Sequence, residues 1–507
     1  MIVALALAAL AQEAPVPVES RYAEVSPEPA DPRELDVFAL FQVRTTASDL
    51  DSTNPLLDGQ VVGALGGLNG VVASREARAL YTEQRTNAFF TWRPGTLDGD
   101  AALTAAFELD WAFGDRAYGT GGNLGGGFGA DQVNLQTRRL HASFFPRLGR
   151  HDLHIAVGLQ FVGDSATDPT KATPDQLLRS GGRLMFWGSE AAGATIYGHA
   201  ADDWGTRLRY RLGAYTLVEQ GLASPDDAWL AVADFAFRPT WATDLGLHAW
   251  YVQDRTGGTG GGLGIGPASD LWILQGGPDL DPYDGLAPPP DAEILADLVW
   301  LGADAGYNAD LVEGSFGAHG VAIANFGRIY APIAQDDSIS GFLVDAEARL
   351  RWAAGDGSVL RAEALWASGG GDDPGLYNGP ITGNAYGVAG AVWSTHGALL
   401  LHPDPGSINR MVSVVHDVSG GGRGLVSLST SAGWDPIPGR MTVQAGAATA
   451  LTGAGESWGT EINGRVTGEP LLFARTGVAA AVVSPGSAAG LNATPWTVLG
   501  TLDWLVL

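Results

Sequence analysis

The sequence contains no cysteine, and Lys171 is its single lysine. Without cysteine there is neither a disulfide framework nor a thiolate-ligated metal site, a composition compatible with an oxidising envelope compartment. With lysine almost absent, arginine carries nearly all the positive charge, and a guanidinium keeps its charge and its forked hydrogen bonds even when partly desolvated. Positive charge is itself in short supply: 29 basic residues stand against 56 acidic ones, a formal charge of −27, which argues against nucleic acid as a partner. Downstream of the N-terminus there is no run of about 18 uninterrupted apolar residues, so no transmembrane helix is expected. Charged residues make up only 17% of the chain, against about 25% in ordinary soluble domains. What the chain has in abundance is glycine, 72 residues, beside 45% apolar residues. Each glycine costs a helix interior about 1 kcal/mol, but glycine suits tight turns, bulges and long surface loops.

The N-terminus is apolar from Ile2 to Ala11, and Ala9-Leu10-Ala11 has the small-x-small form of a cleavage site before Gln12. Residues 1–11 therefore read as a secretory signal, although no Lys or Arg precedes the apolar run. Residues 12–35 are rich in Pro and Glu and lack periodicity, which predicts an extended periplasmic lead. From residue 36 to 507 alternation dominates.

The stretch Ile339 to Ser368 shows that alternation most clearly. Phe342, Val344, Ala346, Ala348, Leu350 and Trp352 fall on one face of its first half, with Asp345, Glu347, Arg349 and Arg351 on the other. After Gly355-Asp356-Gly357 the pattern resumes, Leu360, Ala362, Ala364 and Trp366 opposing Arg361 and Glu363. In residues 100–114 the acidic pair Glu108 and Asp110 shares the polar face, and in RLRYRLG the residues Arg207, Arg209 and Arg211 oppose Leu208, Tyr210 and Leu212. Such a basic ladder is costly unless acids or water face it. Twenty candidate strands follow from the whole pattern, 384–397 and 408–418 among them, and two weak elements could merge or vanish, so 18–20 strands are predicted. A soluble sandwich would bury the apolar faces in its core, whereas a membrane barrel turns them to lipid and the charges to its lumen.

Loop lengths separate the two. Links 94–99, 146–150, 239–244, 355–357 and 434–440 are short and follow even-numbered strands, while 47–77, 115–130, 164–179, 255–292 and 369–383 are long and follow odd ones. Short periplasmic turns alternating with long extracellular loops are a property of membrane barrels. The short odd link Ser419-Gly420-Gly421-Gly422 is the exception. Trp92, Trp111, Trp229, Trp241, Trp300, Trp352, Trp366 and Trp504 fall near predicted strand ends, where an interfacial aromatic girdle belongs. The chain thus resembles a Gram-negative outer-membrane β-barrel: all-β, a single transmembrane antiparallel barrel. More locally, DAEARLRWAAGDGSVLRAEALWASGGGDDPG resembles the late hairpin of alginate-export-type porins, in which a strand ending Ala-Ser-Gly runs into an Asp-rich loop, here Ala367, Ser368, Gly369, Asp372 and Asp373. That resemblance implies an 18-stranded channel exporting a polyanion through an Arg-rich lumen.

The expected function is passive diffusion of hydrophilic solutes or oligosaccharide through a charged pore in the bacterial outer membrane, with membrane lipid and lipopolysaccharide around the barrel. The pore-lining candidates are Arg207, Arg209, Arg211, Arg349, Arg351 and Arg361, set against Glu108, Asp110, Asp345, Glu347 and Glu363, which together would create a transverse field or simply neutralise one another. A three-residue turn at 355–357 would put Arg349 opposite Glu363; a shift of two residues would put Arg351 there instead. One long loop, 47–77 or 255–292, is a candidate to fold inward. A plugged or structural barrel without conductance is the rival reading. A hydrolase is a weaker one, since Gly455-Glu456-Ser457-Trp458-Gly459 fits G-x-S-x-G without the helix that a nucleophile elbow requires. His151 and His154 would sit on opposite faces of a strand, which argues against joint metal ligation. No cofactor is expected beyond Ca²⁺ held by the Asp-rich loops 276–285 and 369–375.

Overall fold

The computed structural model describes residues 35–52, 71–73, 79–94, 100–113, 134–148, 151–163, 188–201, 207–218, 227–255, 295–330, 337–370, 376–380 and 397–506, apart from positions 241, 310, 313, 472 and 492 and parts of 403–421. The signal segment, most of the lead, and most of the loops 47–77, 255–292 and 371–375 lie outside this range. So does the candidate strand over 384–396.

Eighteen long strands form one antiparallel sheet closed on itself. They are β1 (Leu35–Ser48), β2 (Ala79–Trp92), β3 (Ala101–Phe113), β4 (Asn134–Phe144), β5 (His151–Gly163), β6 (Gly188–Ala201), β7 (Arg207–Val218), β8 (Ala228–Thr240) and β9 (Thr243–Asp254). The second half comprises β10 (Leu295–Tyr307), β11 (Phe316–Tyr330), β12 (Asp337–Arg351), β13 (Val359–Ala367), β14 (Leu425–Ile437), β15 (Met441–Leu451), β16 (Ser457–Leu471), β17 (Ala474–Pro485) and β18 (Trp496–Val506). Each pairs with its sequence neighbours, and β18 pairs with β1 from Ala39↔Val506 to Ser48↔Thr497. Closure leaves no strand edge with unpaired backbone groups, a condition lipid imposes on any spanning sheet.

The side chains are sorted inside out. Leu208, Leu212, Leu247, Phe235, Phe342, Leu350, Leu360, Leu428, Ile462 and Val478 are exposed on the outer surface, while Arg85, Glu83, Glu108, Asp234, Arg349 and Glu347 are buried on the inner one. In β13 the alternation is unbroken, with Leu360, Ala362, Ala364 and Trp366 exposed and Arg361, Glu363 and Leu365 buried. Water would oppose that arrangement, and a bilayer favours it. Exposed aromatic side chains gather at both rims. Trp92, Trp352, Trp434 and Trp504 lie toward the short-turn end, and Trp229 and Trp366 toward the long-loop end. Trp300 departs from the girdle expected of it: it is buried inside the barrel, opposite Trp250, because it occupies an inward-facing position of β10.

Most links obey the parity read from the sequence, the exceptions being the short links 331–336 and 452–456 after the odd strands β11 and β15. Residues 202–206, 241–242, 352–358, 438–440 and 472–473 join even strands to odd ones, while the links over 114–133, 164–187, 255–294 and 368–424 follow odd strands. The predicted strand 408–418 is absent: its described residues form no strand, and Val414 and Val415 donate backbone hydrogen bonds to Leu400 and Leu401 at 2.9 Å each. The strand total is therefore the lower end of the expected 18–20, and Gly420 and Gly422 belong to one long link after β13, not to a short odd link of their own.

The register of the β12–β13 hairpin also differs from both alternatives considered. Arg349 faces Arg361 and Glu347 faces Glu363, because the turn occupies 352–358 instead of three residues. Trp352 N donates to Ser358 O at 3.1 Å and closes it. Gly355 at the apex has φ 99°, and Gly357 N donates to the Asp435 carboxylate of β14 at 2.8 Å. A Cβ on Gly355 would lie 2.3 Å from Asp435 Oδ2, so glycine is required there.

Candidate functional site: the barrel lumen

Inward positions of neighbouring strands are brought side by side by the antiparallel register, so lumenal charges meet as cross-strand pairs or diagonals. On β2 to β6 the centre is Glu108, 1% exposed, which receives Arg138 at 2.8 Å and Arg85 at 3.3 Å. Arg138 also reaches Glu190 at 3.0 Å. Arg139 beside it is stacked between Phe89 and Phe161, 5.5 Å from each ring centroid.

A second network runs across β7 to β11. Asp234, fully buried, accepts from Arg211 Nε at 2.7 Å and from Trp250 Nε1 at 2.8 Å, and lies 2.7 Å from His248 Nδ1. The other nitrogen of His248 is 3.1 Å from Asp304, whose second oxygen is 3.4 Å from His319 Nε2. Arg211 lies over the Trp250 ring at 5.2 Å. On β12 and β13, Arg349 donates to both oxygens of Glu347, and Arg361 Nε is 3.9 Å from the same carboxylate. Glu363 accepts from Ser429 at 3.3 Å.

Of the residues singled out from the sequence, Arg209, Arg211, Glu108, Asp345, Glu347, Arg349, Arg361 and Glu363 are on the inner face and buried. Arg351 stands at the short-turn rim, 3.7 Å from the exposed Asp356. The side chains of Arg207 and Asp110 lie outside the described residues. Ser457 opens β16 within a β15–β16 hairpin, not at a strand-to-helix elbow. His154 packs edge-on against Phe145, with ring centroids 4.8 Å apart.

Sequence reading passed over Arg44, Arg85, Arg138, Asp234, His248, Asp304 and Glu461; Asp234, His248 and Asp304 stand alone on the lumenal phase of alternating strands, the signal that found the others, whereas Arg85 lies in a polar run and Arg138 at a bulge beside Arg139. It also missed a piece of chain packed inside the barrel. Residues 397–402, 404, 408, 413–415 and 418 of the long link after β13 lie against the inner wall, with Leu399, Leu400, Leu401, Ile408, Val414 and Val415 buried. The wall beneath them, on β14 to β17, is built from small residues, Ser429, Ser431, Gly446, Ala448, Ala479 and Ala481, which leaves the segment its space.

Polar contacts fix the segment. The Glu461 carboxylate on β16 accepts from the backbone N–H groups of Leu399 (2.7 Å), Leu400 (2.8 Å) and Leu401, and from Asn463 Nδ2 at 2.6 Å. Asn463 also donates to Gly397 O at 2.6 Å. Farther round the same wall, Arg44 of β1 pairs with Asp404 at 2.6 Å, and Arg85 of β2 donates to Ile408 O at 2.8 Å. His402 is wholly buried 2.7 Å from Ser427, and burial pushes its imidazole down to about 3. The described residues of this link are therefore held along the arc of wall from β14 through β18 to β2, by one carboxylate of the wall and one of their own.

No family model matches the chain, and no curated protein matches it. Solved structures similar to it include Pseudomonas aeruginosa OccK8 (OprE), at 10% identity and a TM-score of 0.44 over 93% of this chain and 98% of that one. Acinetobacter baumannii OccAB2 aligns at 11% identity and a TM-score of 0.43, over 93% and 97% of the two chains. The outer membrane channel DcaP of Acinetobacter baumannii aligns at 9% and 0.42, over 93% and 96%. The assignment of this chain rests on its own geometry: a closed 18-stranded antiparallel barrel with an apolar outer face and a charged lumen is a membrane-spanning barrel of the outer-membrane type.

Proposed function

We propose that the protein is an outer-membrane channel through which small hydrophilic solutes diffuse passively, selected by the charged lumen. The observation that carries this reading is the inward sorting of charge, from Glu108 with Arg85 and Arg138 through Asp234 with Arg211 to Glu347 with Arg349. Ion pairs this numerous are costly in a dry core and are expected where water and charged solutes reach the wall. Outside the barrel, the apolar face and the two aromatic rims meet membrane lipid, with lipopolysaccharide at the long-loop end.

A plugged barrel is the second reading, favoured by the near-complete burial of His402 and Asp404 in the lumen. Planar-bilayer recording separates the two. Stepwise currents from the purified chain are expected, and their absence at every voltage, from protein that resists detergent unfolding as a barrel does, would remove the channel. A catalytic role has weaker support, given the hairpin setting of Ser457. Ser457→Ala should leave any lipid hydrolysis by the preparation unchanged.

A further inference from the structure

We infer that the outward face of β1 and β2 is a docking surface for a second copy of this chain, the two barrels meeting at Gln84. Between Leu80 toward the long-loop end and Ala88 and Trp92 toward the short-turn end, the outward phase of β2 carries Thr82, Gln84 and Thr86. Three consecutive polar positions thus lie inside the band that faces lipid. Thr45 of β1 stands opposite Thr82, the two hydroxyls 3.0 Å apart. The outward phases nearby are apolar, with Leu103, Ala105, Phe107 and Leu109 on β3 and Val478, Ala480 and Val482 on β17.

A glutamine side chain brings two donors and an acceptor, and hydrocarbon has no water to satisfy them. Among the described residues Gln84 makes no side-chain hydrogen bond. Gln253, also outward but at the long-loop rim, accepts from Trp229 Nε1 at 2.9 Å and donates to Tyr251 at 3.3 Å. The missing partner of Gln84 must come from outside the barrel, and a carboxamide is complementary to a copy of itself turned through 180°. Each N–H then meets the other oxygen, and the two dipoles lie antiparallel. Strands of such barrels tilt by about 35–45°, so two copies related by a two-fold axis along the membrane normal cross their β2 strands at roughly 70–90°. Contact is confined to the crossing, and the patch is that compact: Gln84 with Thr45, Thr82 and Thr86 around it. The surround is low. Ala47, Ala88 and Gly500 share this face, and a Cβ on Gly500, opposite Thr45, would meet nothing within 4 Å. The barrel's own packing does not call for glycine there, whereas close approach of a second wall favours it.

The absence of native cysteine permits thiol mapping on the full-length chain in vesicles. Oxidation of Gln84→Cys with copper phenanthroline should give a covalent dimer, several-fold more than Leu247→Cys, an outward position on β9. Sedimentation equilibrium in detergent reads the affinity without oxidation: Gln84→Leu should weaken the dimer roughly 3-fold to 30-fold, and Gln84→Asn, which keeps a carboxamide, by less. A wild type that stays monomeric at every protein-to-detergent ratio would overturn the docking surface. So would a dimer that Gln84→Leu leaves unchanged, a trimer in its place, or cross-linking of Gln84→Cys to a different protein in native membranes. Single-channel current is read separately, so the channel reading stands or falls on its own.

Discussion

Replacing Glu461 by Gln exchanges a carboxylate that accepts from four donors for an amide with one acceptor oxygen. Glu461 Oε1 takes Leu399 N and Asn463 Nδ2, and Oε2 takes Leu400 N and Leu401 N. The amide keeps one of these pairs and turns its own NH₂ toward the other. Asn463 keeps Gly397 O as its second acceptor, so with the Oε2 pair retained one buried donor, Leu399 N, is left without a partner, and its attachment to the wall weakens by roughly 1–3 kcal/mol. Since about 1.4 kcal/mol is a factor of ten, protection of the Leu399–Leu401 amides should fall by roughly 5-fold to 150-fold. Hydrogen exchange followed by mass spectrometry reads this on the detergent-solubilised barrel. The strand amides serve as an internal control, because their ladder bonds do not involve Glu461. Protection of Leu399–Leu401 within about threefold of wild type would show that the carboxylate is not the fastener. Equal loss of protection in β14 to β16 would show that these amides and the barrel open as one unit.

Asp234→Ala removes the acceptor shared by Arg211, His248 and the Trp250 indole N–H, leaving Arg211 on Gly163 O and His248 on Asp304. A loss of about 3–5 kcal/mol is expected, read as a lowered denaturant midpoint, with Asp234→Asn milder because it keeps an acceptor; a shift below about 1 kcal/mol would deny the network its role. His402 gives a pH dependence. Packed against the wall, it stays neutral down to about 3, whereas exposed by local opening it protonates near its ordinary 6.5. The opened form therefore binds more protons between these values, and the packing weakens as pH falls through that window by up to about 1.4 kcal/mol per unit. It should be flat above pH 7. Exchange at Leu399–Leu401 should accelerate between pH 7 and 5 beyond the intrinsic trend in wild type and less so in His402→Gln. On the outside, Leu428→Arg should cost up to roughly 2–4 kcal/mol in a bilayer, although Leu428 is 55% exposed. A solvent-facing leucine would tolerate the change within about 0.5 kcal/mol, and that result would contradict the membrane placement.

Alternation by itself determined the class of this protein. A period of two in residues such as Phe342, Val344, Ala346 and Ala348 against Asp345, Glu347 and Arg349 assigns two faces to a strand. Charge on one face and apolar bulk on the other, repeated along the chain with loops sorted by parity, leaves a membrane barrel as the consistent solution. It also placed Glu108, Arg211, Glu347 and Arg361 on the inner wall, because the face a residue takes is a local property. Partners are not local. Arg349 opposite Arg361 depends on how many residues the 352–358 turn consumes, and that was set by Asp435, on β14, accepting from Gly357 N. Arg44 with Asp404 joins the first strand to a late link, and nothing in either neighbourhood names the other.

The link after β13 shows the boundary most sharply. Ala398-Leu399-Leu400-Leu401 is a continuous apolar run with no alternation, but so is Val37-Phe38-Ala39-Leu40-Phe41 of β1, and 408–418 read as a strand. Only closure of the barrel decided between wall and interior. Once eighteen strands had completed the ring, the segment's apolar side chains had the small-residue wall of β14 to β17 to pack on, and its unpaired amides had Glu461 to bond to.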